Sequence, residues 1–293
     1  MAQVAPDPEW GYLRLDPLPD PDELSAFYES GYYDLLRRGE RAPDLARLQQ
    51  GGEAAERERE WLRRTVHADF IHWAPTHQGG PCTVLEVGSG TGDLLASFVA
   101  AGWAATGLEP AAEVAAACRA RGLDVHPATL EQFVETNPGS DPDVVILRLV
   151  LEHVRDPIAL LRTVHACLRD GGLVIVEVPN DFNALQEAAR RKHDLDAWWV
   201  AAPDHLNYFD FTSLGEILER VGFRVTQRST TFPMELFLLM GDNYVADASL
   251  GRACHSRRRE LELSIGADVR RSLYGAMAQA GLGRTCVMAA VAS

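Results

Sequence analysis

The spacing of hydrophobic residues differs between the first quarter of the chain and the rest. Leu62, Val66, Phe70 and Trp73 recur at intervals close to 3.6 residues, which predicts one long amphipathic helix over 53–73. Beyond it, short apolar runs alternate with helical stretches. Strands alternating with helices are typical of a parallel sheet that is covered by helices on both faces.

Apolar runs predict seven strands for this sheet. They lie at 83–87, 104–108, 124–126, 143–149, 173–178, 223–229 and 285–291. The run at 143–149 is almost continuously apolar, as expected of a strand buried on both faces. Among the helices between the strands, one covers 111–121, one is capped by Asp156, and one begins at Thr212 or Ser213. Residues 180–211 are predicted to be irregular.

The remaining segments complete the predicted domain organisation. Residues 1–75 form an N-terminal helical cap, in which the first 20 residues are extended and Asp20-Pro21 opens a helix. Residues 76–232 form the core, 233–283 a helical insertion, and 284–293 the last core strand. The insertion serves as a substrate lid or as a dimer contact in this interpretation.

Composition and charge narrow the function classes. The chain has 293 residues, 46% of them hydrophobic, and a formal net charge of −14, which argues against nucleic acid as the main partner. No apolar run reaches the roughly 18 residues of a membrane span. The five cysteines are scattered and form no C-x-x-C motif, which favours free thiols in a reducing compartment. We therefore expect a cytoplasmic protein without membrane contact, and leave a homodimer open.

A glycine-rich turn follows the first core strand. Gly88, Gly90 and Gly92 alternate directly after 83–87, and an apolar helical stretch begins at once. A strand, a glycine turn and a helix together allow backbone N–H groups to approach a ligand closely. The dinucleotide fingerprint G-x-G-x-x-G requires a third glycine where Asp93 stands, which argues against a dinucleotide-dependent oxidoreductase.

From Glu86 to Gly92 the sequence reads E-x-G-x-G-x-G, which resembles motif I of the class I S-adenosylmethionine (SAM) methyltransferases. The stretches 149–157, 204–209 and 222–223 are similar to later motifs of the small-molecule "type 23" group of that family. The resemblance implies an α/β fold with a doubly wound, seven-stranded Rossmann-like sheet. It also implies SAM as cofactor, S-adenosylhomocysteine as product, and a small organic acceptor such as a sugar nucleotide or secondary metabolite. The methyl group would pass to a hydroxyl, an amine or a carbon.

The resemblance also assigns cofactor contacts. Those around the glycine turn and the ribose are Glu86, Gly88, Ser89, Gly90, Gly92, Glu109 and Pro110. Backbone at Ala128 or Thr129, or the Thr129 hydroxyl, would hold adenine, with Leu130 beside them. Arg148 and Leu149 lie at the end of strand four, and Tyr33, with Tyr32, would close over SAM from the cap.

Arg148 has alternative interpretations. It ends an apolar strand, so it could bind the SAM carboxylate or an acidic substrate, or form an ion pair with Glu152 or Asp156. Divalent-metal methyltransferases of this family place an aspartate there. We therefore predict a reaction without a metal.

His205 and His153 are the candidate bases. His205 lies after strand five, where Asp204 could orient it or raise its pKa, and His153 lies in the stretch that lines the SAM cleft. Either histidine could instead be structural. In the insertion, Arg252 and Arg257-Arg258-Arg259 could recognise a phosphate or carboxylate, or lie on a solvated helix face. A non-catalytic SAM-binding accessory protein remains the alternative to an enzyme.

Overall fold

The structure is a computed structural model that describes residues 3–20, 48, 51–74 and 82–293. This part of the chain contains ten strands. They are β1 Gln3–Pro6, β2 Leu13–Asp16, β3 Thr83–Val87, β4 Ala104–Leu108, β5 Asp124–His126, β6 Val144–Arg148, β7 Leu173–Pro179, β8 Asn207–Tyr208, β9 Phe223–Ser229 and β10 Thr285–Ala292.

The same part of the chain contains eleven α-helices. They are α1 Gly52–Arg64, α2 Val66–Trp73, α3 Asp93–Ala100, α4 Ala112–Ala120, α5 Leu130–Thr136, α6 Pro157–Cys167, α7 Ala184–His193, α8 Phe211–Val221, α9 Glu235–Met240, α10 Ala248–Ser264 and α11 Ala267–Gln279.

Seven strands form the central sheet in the order β5-β4-β3-β6-β7-β10-β9. The neighbours from β5 to β7 are parallel, whereas β10 is antiparallel to both β7 and β9. The parallel strands and β9 therefore end on one side of the sheet, where β10 begins. We call this side the carboxyl edge. The predicted seven-stranded doubly wound sheet is confirmed.

Strand β6 shows why the sheet is covered on both faces. Val145 and Leu147 belong to one apolar core, which includes side chains of α5, α6 and α8. The alternate residues Val144 and Ile146 belong to a second core, with side chains of α1, α2, α3 and α4. Because successive side chains of a strand point to opposite faces, an uninterrupted apolar run is needed to fill both cores.

The predicted helix over 53–73 is broken. It ends at Arg64 and a second helix begins at Val66, because Thr65 leaves helical geometry at φ −119° and ψ −97°. The Thr65 hydroxyl donates to the Trp61 carbonyl at 2.7 Å, which replaces a backbone bond at the break. The hydrophobic residues keep their helical spacing across the break, so this spacing alone could not show that the helix is interrupted at Thr65.

Two further predictions were wrong in the segment after β7. Residues 180–211 contain helix α7, whose N-cap Asn183 forms a capping box with Gln186. Helix α8 begins earlier than Thr212 because Asp210 is its N-cap and accepts the Ser213 N–H at 2.7 Å. In both cases the residue that caps the helix lies among aromatic residues, and its role as a cap was not recognised from the sequence.

The N-terminal segment contains a β-hairpin in addition to helices. Strands β1 and β2 pair antiparallel, and β2 also pairs with β8, so the predicted extended conformation is confirmed for these residues. The description as a helical cap omitted this small sheet. The helix predicted after Asp20, and Tyr32 and Tyr33, lie outside the described residues.

The insertion packs on the cap through buried ionic contacts. Glu262 of α10 accepts hydrogen bonds from the Trp61 indole at 2.6 Å and from the Tyr274 hydroxyl, and pairs with Arg258 at 3.4 Å. Asp69 of α2 pairs with Arg270 of α11 at 2.9 Å. The Trp61–Glu262 and Asp69–Arg270 contacts join segments about 200 residues apart in the sequence, so they fix the insertion against the cap.

The arginine cluster of the insertion is used within the protein. Arg257 pairs with Asp242, Arg258 with Glu262, and Arg259 with Glu58. This arrangement favours the structural interpretation of 257–259 over recognition of an anionic substrate. Of the helices described, not one has the length and apolarity needed to cross a bilayer.

We predict that Glu262→Ala lowers the free energy of unfolding by about 3–5 kcal/mol, because it leaves the buried Arg258 without its carboxylate. Urea denaturation followed by circular dichroism measures the change. Glu260→Ala, an exposed position on the same helix, should stay within about 0.5 kcal/mol of the wild type. Equal effects in the two variants would contradict the role given to Glu262.

Candidate functional site

The glycine turn, residues 88–92, lies at the carboxyl edge between β3 and α3. Gly88 and Gly92 have φ of 70° and 69°. A Cβ on Gly88 would lie 2.8 Å from the Val150 side chain, and one on Gly92 would lie 2.7 Å from Leu123. Backbone conformation and space therefore both require glycine here. The N–H groups of Gly88 and Ser89 donate to the Leu108 carbonyl, and that of Gly92 donates to the Ser89 carbonyl. The glycines therefore allow close approach of a ligand to the turn, while these N–H groups already have partners within the protein.

Glu109, directly after β4, is bound to this turn. One carboxylate oxygen accepts the Gly90 N–H at 3.0 Å and the other accepts the Ala111 N–H at 2.9 Å. Burial raises the pKa of Glu109, while these two hydrogen bonds lower it and so partly offset burial. The structure thus brings Glu109 and the glycine turn, both predicted to contact the cofactor, together. Pro110 continues the same loop.

Buried polar atoms beside the turn fit a ligand with hydrogen-bond donors. Within the described part of the chain, Glu86 Oε2 and Ser89 Oγ are buried and have no hydrogen-bond partner. Burial raises the pKa of Glu86 to about 8. A buried acceptor without a partner costs about 1–3 kcal/mol. The ammonium, hydroxyls and positive sulfur of SAM fit such surroundings, so the residues present fit the cofactor.

The groups predicted to hold adenine already have partners within the protein. The Ala128 N–H donates to the His126 carbonyl at 2.9 Å. Thr129 caps α5, with its hydroxyl accepting the Gln132 N–H and its own N–H donating to the Gln132 side chain. Leu130 begins that helix. An adenine contact through these N–H groups or this hydroxyl would require them to change partners.

Arg148 forms an ion pair that the sequence did not indicate. Its guanidinium bonds Glu177 of β7 at 2.9 Å, not Glu152 or Asp156, because β6 and β7 place residues 148 and 177 side by side. Asp156 instead caps α6 through the Ala159 N–H. The positive charge of Arg148 lowers the pKa of Glu86. Its place as a SAM contact stays a prediction.

Leu149, which follows Arg148, adopts φ 55°, unusual for a residue other than glycine. Its N–H donates to the Glu177 carbonyl at 2.8 Å, and its side chain is 37% exposed. A leucine held open in a sparsely populated conformation is often found at a ligand site.

The two candidate histidines lie together because two loops are joined. The backbone N–H groups of Leu206 and Asn207 donate to the Glu152 carbonyl, and the Asn207 amide donates to the Leu151 and Val154 carbonyls. The rings of His153 and His205 are consequently 5.0 Å apart, edge to face. Both histidines lie at the carboxyl edge, near the ends of strands, as predicted.

The carboxylate predicted to orient His205 contacts His153. Asp204 bonds His153, with its carbonyl 3.0 Å and its carboxylate 3.1 Å from His153 Nδ1. Although burial opposes the charged ring, the Asp204 bond and the charge of Glu152 raise the pKa of His153 to about 9. A ring protonated at neutral pH cannot accept a proton. The geometry therefore favours His205 over His153 as the base.

Glu152, His153 and His205 also offer ligand atoms that lie within 4.8 Å of one another. Two imidazoles and a carboxylate form a donor set suited to zinc or other transition metals. His153 Nδ1 is already used by Asp204. The reaction without a metal, predicted from Arg148, stays a prediction.

Sequence reasoning missed three buried groups beyond the histidines. In the described part of the chain, Asp181 Oδ2, Glu235 Oε2 and Trp199 Nε1 are buried without a hydrogen-bond partner. Burial raises the pKa of Asp181 to about 7 and also raises that of Glu235. The available signal was the position of Asp181 directly after the fifth predicted strand. Its neighbour Phe182 has φ 57°.

Comparisons with known proteins agree with this site. The sequence profile of a family described as a methyltransferase domain matches residues 54–228. The ubiquinone biosynthesis O-methyltransferase of Sodalis glossinidius is 36% identical over 103 residues, which are 33% of this chain and 41% of that protein. The C-methyltransferase NovU of Streptomyces niveus is 32% identical over 151 residues, 50% of this chain and 34% of NovU. The chain thus spans less than half the length of these curated relatives.

A solved structure shows the same fold over the full length. It is the 1,6-didemethyltoxoflavin-N1-methyltransferase of Burkholderia thailandensis, with S-adenosylhomocysteine bound. The TM-score is 0.54 at 16% identity, and the likeness covers 100% of both chains. At this identity the likeness concerns the fold.

We predict that Asp181→Asn stabilises the protein at pH 8 by about 1–3 kcal/mol and has little effect near pH 4. The pKa of Asp181 rises from 3.8 in the unfolded chain to about 7 in the fold. Between these values the folded state binds more protons, so stability falls as the pH rises. Asparagine cannot ionise, so the Asp181→Asn variant does not lose this stability as the pH rises.

Urea denaturation at several pH values measures the difference between the two proteins. Asp141→Asn, an exposed position at the opposite end of the sheet, is the matched control and should show no such pH trend. A destabilised Asp181→Asn at pH 8 would contradict the assignment.

Proposed function

Since the chain belongs to the methyltransferase domain family, we propose that it transfers the methyl group of SAM to a small organic acceptor. The observation that carries the proposal is the link between Glu109 and the glycine turn. One carboxylate and one turn of backbone N–H groups meet at the carboxyl ends of adjacent strands. In open α/β sheets, ligands bind at this edge.

In this proposal, Glu109 accepts hydrogen bonds from the ribose hydroxyls, and the turn 88–92 holds the amino-acid part of the cofactor. Glu86 and Ser89 supply the buried acceptor atoms beside it. SAM, when bound, supplies a methyl group on a positively charged sulfur. The protein must align an acceptor atom with that methyl group and exclude water.

His205 is the proposed base for a hydroxyl or amine acceptor. It lies beside His153, whose raised pKa keeps it charged at neutral pH and thus unsuited to accept a proton. His153, held by Asp204, would orient the loop and provide a fixed positive charge. A carbon acceptor would need the same base to form an enolate.

The cap and the insertion together are proposed to enclose the acceptor. Strand β9 ends and β10 begins at the carboxyl edge, so the insertion between them emerges on the ligand side. Glu262 and Asp69 fix the insertion to the cap helices. Additions to a common scaffold are where specificity usually lies.

The relatives support a small-molecule acceptor without naming it. Their names describe transfer to oxygen in ubiquinone biosynthesis and transfer to carbon by NovU. A sugar nucleotide or another secondary metabolite remains our proposed acceptor class. The second candidate function, a non-catalytic SAM-binding accessory protein, predicts cofactor binding without turnover.

We predict that Glu109→Ala weakens SAM and S-adenosylhomocysteine binding by about 1.5–3 kcal/mol, the range for a hydrogen bond to a charged group. Titration calorimetry measures the affinity. Glu113→Ala, an exposed glutamate on α4, should leave it unchanged. Unchanged affinity in Glu109→Ala would remove the ribose assignment.

We predict that His205→Ala lowers the turnover rate by roughly 10²–10⁴-fold, the usual contribution of general acid–base catalysis. Release of S-adenosylhomocysteine with an accepted substrate measures the rate, and calorimetry should show unchanged cofactor affinity. His205→Gln should fold like the wild type and should lower the turnover rate as much as His205→Ala does. The control is His72→Gln, an exposed histidine on α2. Near wild-type rates in both His205 variants would make this residue structural.

A further inference from the structure

A group of buried carboxyl groups lies beside the histidines, and the proposed reaction does not use it. We call Glu152, Asp181 and Glu235 the acid cluster. Each side chain is more than nine-tenths buried. In the described part of the chain, each has one carboxylate oxygen without a hydrogen-bond partner. Three incompletely bonded acids in one region are costly to retain for stability alone.

Backbone bonds bring the acids to the same region of the carboxyl edge. The Glu152 carbonyl accepts the Leu206 and Asn207 N–H groups, and the Asp181 N–H donates to the Phe209 carbonyl two residues later. The Asn180 N–H donates to the Arg284 carbonyl at 3.0 Å, and the Arg284 N–H donates to the Thr231 carbonyl at 3.1 Å. The ends of β7 and β9 and the start of β10 are thereby joined. Asp181 directly follows Asn180, and Glu235 follows Thr231 after a short loop.

The acids also act on one another electrostatically. The negative charges of Glu152 and Glu235 both raise the pKa of Asp181. Arg284 lowers the pKa of Asp181 and of Glu235, so it offsets part of this repulsion. His153 likewise lowers the pKa of Glu152, and Arg258 lowers that of Glu235, yet one oxygen of each acid stays without a hydrogen-bond partner among the described residues.

Aromatic side chains border the cluster. Phe182, next to Asp181, packs edge to face on Trp199 at 5.5 Å, and Trp199 packs on Trp198 at 4.8 Å. The Trp199 indole N–H is buried and has no partner among the described residues. The surroundings of the acids therefore combine apolar surface with unused hydrogen-bond acceptors.

We propose that the acid cluster binds a protonated amino group of the methyl acceptor, so that the acceptor is a cationic, amine-bearing small molecule. This inference rests on the proposed function and names the substrate class for that site. An ammonium group offers three N–H donors and no acceptor, which matches unpartnered carboxylate oxygens. A hydroxyl offers a single donor, and a carboxylate would be repelled.

The position of the cluster separates it from the cofactor site. Glu86 and Glu109 lie at the ends of β3 and β4, whereas Asp181 lies after β7, two strands along the sheet from β3. His153 and His205 lie between these two places. His153 is in the loop after β6, and His205 is in the loop that is hydrogen-bonded to it. An amine held by the acid cluster would therefore place the rest of the acceptor towards His205 and the glycine turn.

Three probes of similar shape test the inference: 2-phenylethylamine, 2-phenylethanol and 3-phenylpropionate. They are titrated into protein saturated with S-adenosylhomocysteine, and binding is measured by ligand-observed NMR. The bound product already carries the cofactor's own amino group, so the probes report on a separate site. We expect the amine to bind at least roughly 10-fold more tightly than the alcohol, with no binding of the carboxylate.

Asp181→Asn and Glu235→Gln should each weaken amine binding by roughly 10-fold and leave the alcohol unchanged. Both changes keep the shape of the side chain, and calorimetry with S-adenosylhomocysteine verifies that each variant is folded. Asp141→Asn should bind all three probes like the wild type. Two variants are used so that misfolding of one does not decide the result.

Equal affinity for the amine and the alcohol, an amine preference that survives in both variants, or failure of the amine to bind would each overturn the inference. If the protein binds S-adenosylhomocysteine in these cases, the proposed methyltransferase function stands. If it does not bind S-adenosylhomocysteine, the proposed function itself fails.

Discussion

The structure depends on one constraint: the ends of its parallel strands meet at a single edge. The strand interiors are apolar and fill two cores, so polar residues on these strands are concentrated where the strands end. Glu86, Arg148 and Glu177 are examples, each among the last three residues of its strand. Neighbouring strands bring these groups together without regard to their distance in the sequence. The functional site follows from the topology of the sheet.

The molecule satisfies its buried charges in one place and leaves them unsatisfied in another. Between cap and insertion, Glu262 accepts from Trp61 and Tyr274 and pairs with Arg258, while Asp69 pairs with two arginines. At the carboxyl edge, Glu86 and the acid cluster keep oxygens without partners in the described part of the chain. A buried ion pair fixes geometry, whereas an unpartnered buried acid lowers stability until a ligand supplies its donors. The contrast distinguishes contacts that fix the structure from groups that are left available to a ligand in the proposed function.

The sequence predicted the features that depend on local pattern. The strand runs and the glycine turn are set by hydrophobic period and by the conformational freedom of glycine, and both can be read from neighbouring residues. The break at Thr65 and the caps Asn183 and Asp210 depend on single side-chain hydrogen bonds. Such bonds hardly alter the hydrophobic pattern, and this is why the break and the start of α8 were misplaced and helix α7 was missed.

The pairing of charges could not be predicted for a different reason. Arg148 has acids within a few residues on the chain, yet it pairs with Glu177, because strand register decides which side chains lie opposite. Asp204 is adjacent to His205 in the sequence but bonds His153, because the loops after β6 and before β8 are joined through Asn207. Ion pairs depend on distances in space, and a sequence without alignment gives distances only along the chain.

The order of the strands sets the order in which the groups of the candidate site lie along the carboxyl edge. From β4 to β10, the carboxyl edge carries first Glu109, then the glycine turn, then the histidines, and finally the acids beside Arg284. A cofactor bound across β3 and β4 would thus direct its reactive end towards β6. An acceptor anchored beyond β7 approaches from the other side. The histidine loop lies between the two, where a transferred methyl group and a released proton would both need to pass. In the proposed function, the same sheet order that buries the strands would therefore separate methyl donor, base and acceptor anchor along the carboxyl edge.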